Sequence, residues 1–148
     1  MTEPIILAVD LGTSGMKVAL ISVSGKVLGW EAEPIQLMLT PDGGVEQSPN
    51  EWWAAFLSAS KRLIGKNQAS ASLIRAVCCS TQGEGTIPVD KDGNALGNCI
   101  LWMDMRGASH LKKQLSGLIN IDGADMFKVL RFVSLTGGMP NLAGKDPA

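Results

Sequence analysis

The stretch Asp10-Leu11-Gly12-Thr13-Ser14-Gly15-Met16-Lys17 decides the fold, because it joins two short apolar segments that are rich in β-branched residues. Residues 5–10 and 16–22 have the composition of strands, and residues 27–34 follow after a second turn at Ser24-Gly25-Lys26. Three strands that are joined by such short turns predict an antiparallel meander at the start of the chain.

The first turn has the composition of a phosphate-binding site. Gly12 and Gly15 would let the backbone take up positive φ and approach a ligand closely. Consecutive N–H groups in such a turn can form a concave anion site. The hydroxyls of Thr13 and Ser14 add donors, and Lys17 supplies a positive charge for phosphate oxygens.

Asp10 stands at the end of the first predicted strand, where a carboxylate can hold Mg²⁺ through water molecules. An ordinary hairpin with small turn residues would explain each of these residues alone, but the complete string favours phosphate binding. It is not a P-loop, because no Gly-Lys-Ser/Thr sequence follows to open a helix.

The middle of the chain predicts one long helix. Ser48 lies three residues before Glu51 and predicts a capping box, while Pro49 suits the first helical position. Gly65 predicts the end of the helix. Four residues at helical spacing predict its apolar face: Trp53, Phe56, Leu57 and Ile64.

The later segments predict an α/β domain. Residues 73–80 predict a largely buried strand next to the first one, and residues 86–89 and 99–102 predict two short strands. Helices are predicted from apolar residues at 108, 111, 115 and 118, and over residues 126–133 with Asp122 near the start. Residues 40–44 and 90–93 predict a loop and a turn, and the sequence is expected to be truncated after residues 144–148. A meander, a helix and an adjoining strand suggest a ribonuclease-H-like (actin-like ATPase) fold, with a mixed sheet and flanking helices.

Composition excludes several classes of protein. The 148 residues are 45% hydrophobic and carry a net charge of −1, so a folded domain without nucleic-acid or anionic-membrane partners is expected. The first residues lack the basic start and long apolar stretch that predict a signal peptide, and the sequence has no apolar run of roughly 20 residues. Three cysteines, two of them adjacent, favour a reducing cytoplasm. A truncated sheet would expose apolar surface, and a homodimer is one expected outcome.

Four segments, taken in order, resemble the FGGY family of carbohydrate kinases. Asp-x-Gly-Thr-Ser-x-x-Lys, which begins at Asp10, is similar to the family's first phosphate motif. The other three are Glu46-Gln47 followed by Trp52-Trp53, the turn Ser80-Thr81-Gln82-Gly83-Glu84-Gly85, and Trp102-x-Asp104-x-Arg106. The resemblance covers the chain from residue 5 to about residue 117.

The resemblance implies transfer of the γ-phosphoryl group of ATP, with Mg²⁺, to a hydroxyl of a small sugar or polyol. Phosphate positioning is implied for Gly12, Thr13, Ser14 and Lys17, and metal organisation for Asp10. Carboxylates and amides bind pairs of hydroxyls, and an aromatic ring covers the C–H face of a sugar. The implied substrate residues are Gln82, Gly83, Glu84, Trp102, Asp104 and Arg106.

Each substrate residue also has a structural interpretation. Trp102 could pack in the core, Asp104 could cap a helix, and Arg106 could pair with Asp104. Glu84 is the sharpest candidate, because a carboxylate between two glycines has little structural purpose. The turn Gln82-Gly83-Glu84-Gly85 differs from the Gln-Met-His-Gly of xylulose kinases and from the Gln-Arg-Glu-Thr of glycerol kinases. The resemblance therefore does not identify which sugar or polyol is the substrate.

In the family, the catalytic base is an aspartate later in the first domain, and the adenosine site lies mostly in a second domain. No catalytic residue is therefore assigned within residues 1–148, and the base is expected beyond Ala148. These residues are expected to form the N-terminal part of the first kinase domain and to be inactive alone. A non-catalytic actin-like module, an actin- or chaperone-like ATPase and a ribonuclease-H-like nuclease are the alternatives. The nuclease would need several carboxylates around two metal ions.

Overall fold

The predicted meander is confirmed in the computed structural model, which describes residues 3–67, 71–117, 120–121 and 124–140. Strand β1 (Ile5–Gly12) pairs antiparallel with β2 (Gly15–Ser22), and β2 pairs antiparallel with β3 (Val27–Pro34). The strand boundaries lie within two residues of the predicted ones, because each strand is limited by a turn whose residues are recognisable in the sequence.

Glycines in the β1–β2 turn (residues 12–15) serve packing rather than unusual dihedral angles. The prediction that Gly12 and Gly15 take up positive φ is wrong. Among the described residues, the glycines with positive φ are Gly25, Gly43, Gly93 and Gly137. A Cβ on Gly15 would lie 2.7 Å from the carbonyl oxygen of Glu33 on β3. Gly15 is therefore needed for the close approach of β3 to the turn.

Helix α1 (Pro49–Lys66) begins where the sequence predicts. The Ser48 side chain accepts a hydrogen bond from the backbone N–H of Glu51, at 3.4 Å. The Glu51 carboxylate accepts instead from the backbone N–H of Gln36, at 2.8 Å, so the reciprocal half of the capping box is replaced by a tie to the preceding loop. The helix continues past Gly65 and ends at Lys66.

The buried face of α1 agrees in part with the predicted one, since Phe56 is half-buried against the core. Its buried residues are Ala55, Ala59, Ser60 and Leu63, while Trp53 is 62% exposed. Small alanines let the helix lie close to the sheet. The core that it covers comes from alternating residues of β1 and β2: Ile5, Leu7, Val9, Met16, Val18 and Leu20.

Strand β6 (Ile74–Thr81) pairs parallel with β1 and completes a sheet with the order β3-β2-β1-β6. The predicted position of this strand is confirmed, but its predicted burial is wrong. Val77 is 57% exposed, and Cys78 and Cys79 are exposed too. The physical reason is that α1 packs on β2 and β3 rather than on β6, so most side chains of β6 are left uncovered by the described elements.

A second sheet has three strands, in the order β4-β5-β7. Its strands are β4 (Met38–Leu39), β5 (Val45–Gln47) and β7 (Cys99–Ile100). The sequence did not predict β4 and β5, and the strand expected over residues 99–102 is shorter, with Trp102 in a turn. Residues 86–89 form only isolated bridges, Thr86 with Ile100 and Val89 with Ala95. The predicted loop at 40–44 and turn at 90–93 are present.

The last elements are α2 (Ala108–Leu115), β8 (Asn120–Ile121), β9 (Ala124–Asp125) and α3 (Met126–Thr136). Both predicted helices form, and Asp125 caps α3 by accepting from the N–H groups of Phe127 and Lys128. Within the described part of the chain, no helix is long and apolar enough to cross a membrane.

Several predictions for the end of the chain fall outside the described residues. They are the roles of Leu118 and Asp122, the truncated tail at 144–148, and the catalytic base expected beyond Ala148. The structure therefore tests neither the truncation nor the position of the base, and both stay predictions.

Candidate functional site

The carboxyl ends of β1 and β6 bring two turns together. The strands are parallel, and their register ends with Leu11 opposite Thr81. The β1–β2 turn and the post-β6 turn (residues 82–85) therefore lie side by side, at the edge where ligands of α/β sheets commonly bind. The backbone N–H of Gln82 donates to the carbonyl oxygen of Leu11 at 2.7 Å, which joins the two turns directly.

Side chains add a second joint between these turns. The Thr13 hydroxyl donates to Gln82 Oε1 at 2.8 Å, and Gln82 Nε2 donates to Gln47 Oε1 at 2.9 Å. Gln47 Nε2 then donates to the Thr13 carbonyl oxygen at 2.7 Å, which closes a ring of three residues. Trp52 Nε1 donates to Gln47 Oε1 from outside the ring, at 3.2 Å.

A concavity of about 290 Å³ opens beside the ring and is lined by Gln82, Gly83, Glu84 and Trp102. Four of the six predicted substrate residues are thus brought together. Trp102 forms one wall, and its indole N–H lies 3.5 Å from the Thr13 hydroxyl oxygen. A polar turn that faces an aromatic ring is the combination that binds hydroxyl groups on one side of a sugar and C–H groups on the other.

Glu84 has an unusual backbone conformation. Its φ of 57° lies in the left-handed region, and it is the one non-glycine residue there among the described residues. A side chain with a Cβ is disfavoured in this region. Glu84 is exposed and is one of the residues that line the concavity.

Asp104 and Arg106 lie apart from the lining of the concavity and fasten the segment that carries Trp102. Asp104 is 5% exposed, and its carboxylate accepts from the backbone N–H of Val45 at 2.9 Å. Arg106 donates to Asp104 and, through Nη2, to Glu46 Oε1 at 2.6 Å. These contacts attach residues 102–106 to strand β5.

The charges of this cluster stabilise each other. Burial alone would raise the pKa of Asp104, but hydrogen bonds from Arg106 and from the Val45 N–H outweigh it, and the pKa is lowered. The pKa of Glu46 is lowered by hydrogen bonds from Asn98 and Arg106. Both carboxylates hold the pKa of Arg106 above its ordinary value. The cluster is therefore ionised at neutral pH.

Asp10 and Lys17 lie at paired positions of β1 and β2, and their side chains form an exposed ion pair at 3.1 Å. A Cβ on Gly12 would lie 3.7 Å from Lys17 Nζ, so these three residues are neighbours. Ser14 is exposed at the tip of the turn.

The described residues contain no group of three or more His, Cys, Asp or Glu side chains that could hold a metal ion. Mg²⁺ commonly binds one or two carboxylates together with water and substrate phosphates. A single exposed carboxylate at Asp10 fits that mode of binding.

Gln47 is the residue that sequence reasoning does not assign to the site. It belongs to a family-like segment, but the sequence gives its side chain no role. The structure buries it completely, at 0% exposure, between the two turns. A glutamine beside the cap of a helix gives no signal of burial, and only the pairing of β5 with β7 places it there.

Comparisons with known proteins agree with this geometry. The model of the FGGY family of carbohydrate kinases, N-terminal domain, matches residues 5–126. A xylulose kinase from Staphylococcus epidermidis is 33% identical over 108 residues, which is 73% of this chain and 22% of that protein. A glycerol kinase from Listeria welshimeri is 33% identical over 116 residues, which is 78% of this chain and 23% of that protein.

The fold is also found in a solved structure. The crystal structure of xylulose kinase from Bifidobacterium adolescentis matches with a TM-score of 0.71 and 20% identity, over 97% of this chain and 28% of that chain. The actin-like mixed α/β fold is therefore confirmed. This chain belongs to the FGGY family of carbohydrate kinases. It spans less than a quarter of the length of the xylulose kinase from Staphylococcus epidermidis and of the glycerol kinase from Listeria welshimeri.

Proposed function

We propose that this chain takes part in the ATP-dependent phosphorylation of a sugar or polyol hydroxyl. The observation that carries the proposal is the direct joint between the β1–β2 turn and the post-β6 turn, from Gln82 N–H to Leu11 O at 2.7 Å. Phosphoryl transfer depends on holding the donor phosphate and the acceptor hydroxyl next to each other. The two turns supply one side each.

The β1–β2 turn is the proposed phosphate side. Gly12, Thr13 and Ser14 would present backbone N–H groups to phosphate oxygens, and the Lys17 ammonium would attract their charge. Because the Thr13 hydroxyl donates its hydrogen to Gln82, the backbone of Thr13 is the part left for phosphate. Asp10 would hold Mg²⁺, which neutralises developing charge on the phosphates when it is bound.

The post-β6 turn is the proposed acceptor side. Glu84 would accept hydrogen bonds from two sugar hydroxyls, Gln82 and Gly83 would shape the pocket, and Trp102 would cover the C–H face. In this proposal Asp104 holds the Trp102 segment in place. Arg106 does the same, and its side chain, which is one third exposed, would also donate to a hydroxyl of the bound sugar.

We further propose that residues 1–148 are the N-terminal part of a first kinase domain, with the catalytic base supplied beyond Ala148 and the adenosine site mostly by a second domain. The chain alone would then show no sugar-dependent ATP turnover. Association of two copies as a homodimer through exposed sheet surface is part of the same proposal.

The first experiment is an NMR titration of the ¹⁵N-labelled chain with pentuloses, hexuloses, pentitols and glycerol. One compound should shift the signals of Gln82, Glu84 and the Trp102 indole saturably. Glu84→Ala should weaken that binding by about tenfold or more, as expected for a lost charged hydrogen-bonding partner. Asp92→Ala, at a turn outside the site, is the matched control. If no compound binds, a non-catalytic actin-like module becomes the better explanation.

Activity can be tested in a chimera. The matching segment of the Staphylococcus epidermidis xylulose kinase would be replaced by the corresponding residues of this chain, and sugar-dependent ADP release would be measured. We expect turnover by the chimera and none by the 148-residue chain. Turnover by the chain alone would refute the division of the active site.

A further inference from the structure

The Gln47 side chain connects the β1–β2 turn to the post-β6 turn by hydrogen bonds to Thr13 and Gln82. Its amide is fully buried and bonded to three partners that are distant in sequence or belong to another element: Thr13, Gln82 and Trp52. A buried amide with satisfied hydrogen bonds favours one arrangement of the surrounding segments, because every alternative leaves polar atoms unpaired.

The direction of every hydrogen bond in the ring follows from Trp52. An indole N–H can only donate, so the Gln47 atom that faces it must be the carbonyl oxygen. The amide nitrogen of Gln47 then faces the Thr13 carbonyl oxygen, which can only accept.

The same reasoning extends around the ring. The Gln47 oxygen requires a donor from Gln82, so Gln82 presents its own oxygen to the Thr13 hydroxyl. The Thr13 hydroxyl must therefore donate to Gln82. Its lone pairs remain to accept from the Trp102 indole, at 3.5 Å. The phosphate-side turn, the acceptor-side turn and the aromatic wall are connected in one directed network.

We propose that Gln47 is a positioning residue for phosphoryl transfer, which fixes the β1–β2 turn relative to the post-β6 turn without touching either substrate. The proposal rests on the proposed function of those turns. Because a misplacement of about 1 Å between reacting groups can cost about 10²-fold in rate, a loosened ring should lower kcat and change substrate KM little.

The first test measures the joint itself in the ligand-free chain. The Gln82 amide hydrogen reports on the joint, since it bonds Leu11 O, and its exchange with solvent can be followed by NMR. The Leu20 amide in the core of β2 is the reference for global unfolding. Gln47→Met keeps the length of the side chain and removes all three hydrogen bonds. Gln47→Glu keeps both acceptor contacts but cannot donate to Thr13 when ionised.

Both variants should raise exchange at Gln82 about tenfold relative to Leu20, as expected when hydrogen bonds of this kind are lost. Ser60→Ala is the control, because Ser60 is buried and its hydroxyl has no hydrogen-bond partner among the described residues. It should leave the Gln82-to-Leu20 ratio unchanged. An unchanged ratio in both Gln47 variants would overturn the proposal.

The second test uses the chimeric kinase. Gln47→Met should lower kcat by about 10²-fold while sugar and ATP KM values stay within about threefold. Equal kcat in the variant and the parent chimera would overturn the positioning role. An inactive parent chimera would count against the proposed function instead, and the exchange ratio would still decide whether Gln47 fixes the turns.

Discussion

At the scale of single residues, Glu84 combines a strained backbone with a candidate substrate contact. Its φ of 57° is one that glycine adopts freely, and yet its neighbours Gly83 and Gly85 are not in that region. A Cβ on Gly85 would lie 2.9 Å from Cys99 Sγ, so that glycine serves packing. The strained position is occupied by the one residue of the turn with a carboxylate, which favours a functional explanation.

Replacing Glu84 by glycine should therefore separate stability from binding. The left-handed region disfavours a residue with a Cβ by about 1 kcal/mol, whereas glycine loses more backbone entropy on folding. We expect Glu84→Gly to leave the free energy of unfolding unchanged or to raise it by up to about 1 kcal/mol. Sugar binding should be lost. Urea denaturation and the NMR titration measure the two quantities.

The control for this substitution is Glu84→Gln, which keeps the Cβ and removes the charge. Its stability should match that of the natural chain, and its sugar binding should be weakened. A clear loss of stability in the Glu84→Gly variant would show that the carboxylate holds the turn, and the functional explanation of its φ would then be wrong.

The residue types in the sequence predict the two turns of the site, but they do not predict the hydrogen bonds that join the turns. The string from Asp10 to Lys17 and the turn at Gln82 are predictable because glycines, hydroxyls and carboxylates have chemical roles that follow from residue type. The ring through Gln47 is not, because polar residues in strands are mostly exposed and burial depends on distant pairing. For the same reason the sequence does not predict the exposure of Cys78 and Cys79.

At the scale of elements, the cluster of Glu46, Asp104 and Arg106 attaches β5 to the segment before α2. It is mostly shielded from solvent, since the Asp104 side chain is 6% exposed and that of Glu46 is 20% exposed. Charged groups in such surroundings contribute more than surface ion pairs do. The cluster should therefore be a measurable source of stability for the second sheet.

The pH dependence of this contribution has a definite sign. The folded pKa of Glu46 is lowered from its ordinary value of 4.5. Its stabilisation is thus complete above pH 4.5 and is lost as the pH falls through the lower, folded value. We expect Glu46→Gln to reduce the free energy of unfolding by about 1.5 kcal/mol at pH 7, and the difference from the natural chain to shrink below pH 4.5.

Urea denaturation of both chains between pH 7 and pH 3 would measure that difference. Asp92→Asn, at an exposed turn, controls for the loss of one negative charge. A difference between the natural chain and the Glu46→Gln variant that stays constant across this range would contradict the role of ionised Glu46.

Elements are predictable where one local signal determines them. Ser48 and Pro49 locate the start of α1, and short turns locate β1, β2 and β3. Strands β4 and β5 are missed because two or three residues give no periodic pattern. The predicted face of α1 is confirmed at Phe56, which packs against the core, and is wrong at Trp53, which is exposed. Close packing against the sheet selects small residues such as Ala55 and Ala59, which a prediction from large apolar residues misses.

At the scale of the whole molecule, the outer edge of β6 is the least protected surface of the main sheet. Arg75 is its only charged residue over Ile74–Thr81, and no described strand pairs with its outer edge. Sheets usually protect such edges with charges, prolines or a covering element. A second copy of the chain offers the same unpaired edge, and two identical strands can pair antiparallel about a two-fold axis.

The chain should therefore form a concentration-dependent dimer through β6, and a charge at the centre of the edge should prevent it. Val77→Lys introduces that charge at a side chain that is 57% exposed, so the fold should tolerate it. Val23→Lys is the matched control, since Val23 is 60% exposed but lies after β2, away from the edge.

Sedimentation velocity should show a dimer for the natural chain and the Val23→Lys variant, and a monomer for the Val77→Lys variant. A natural chain that stays monomeric, or a Val77→Lys variant that still dimerises, would exclude β6 as the interface.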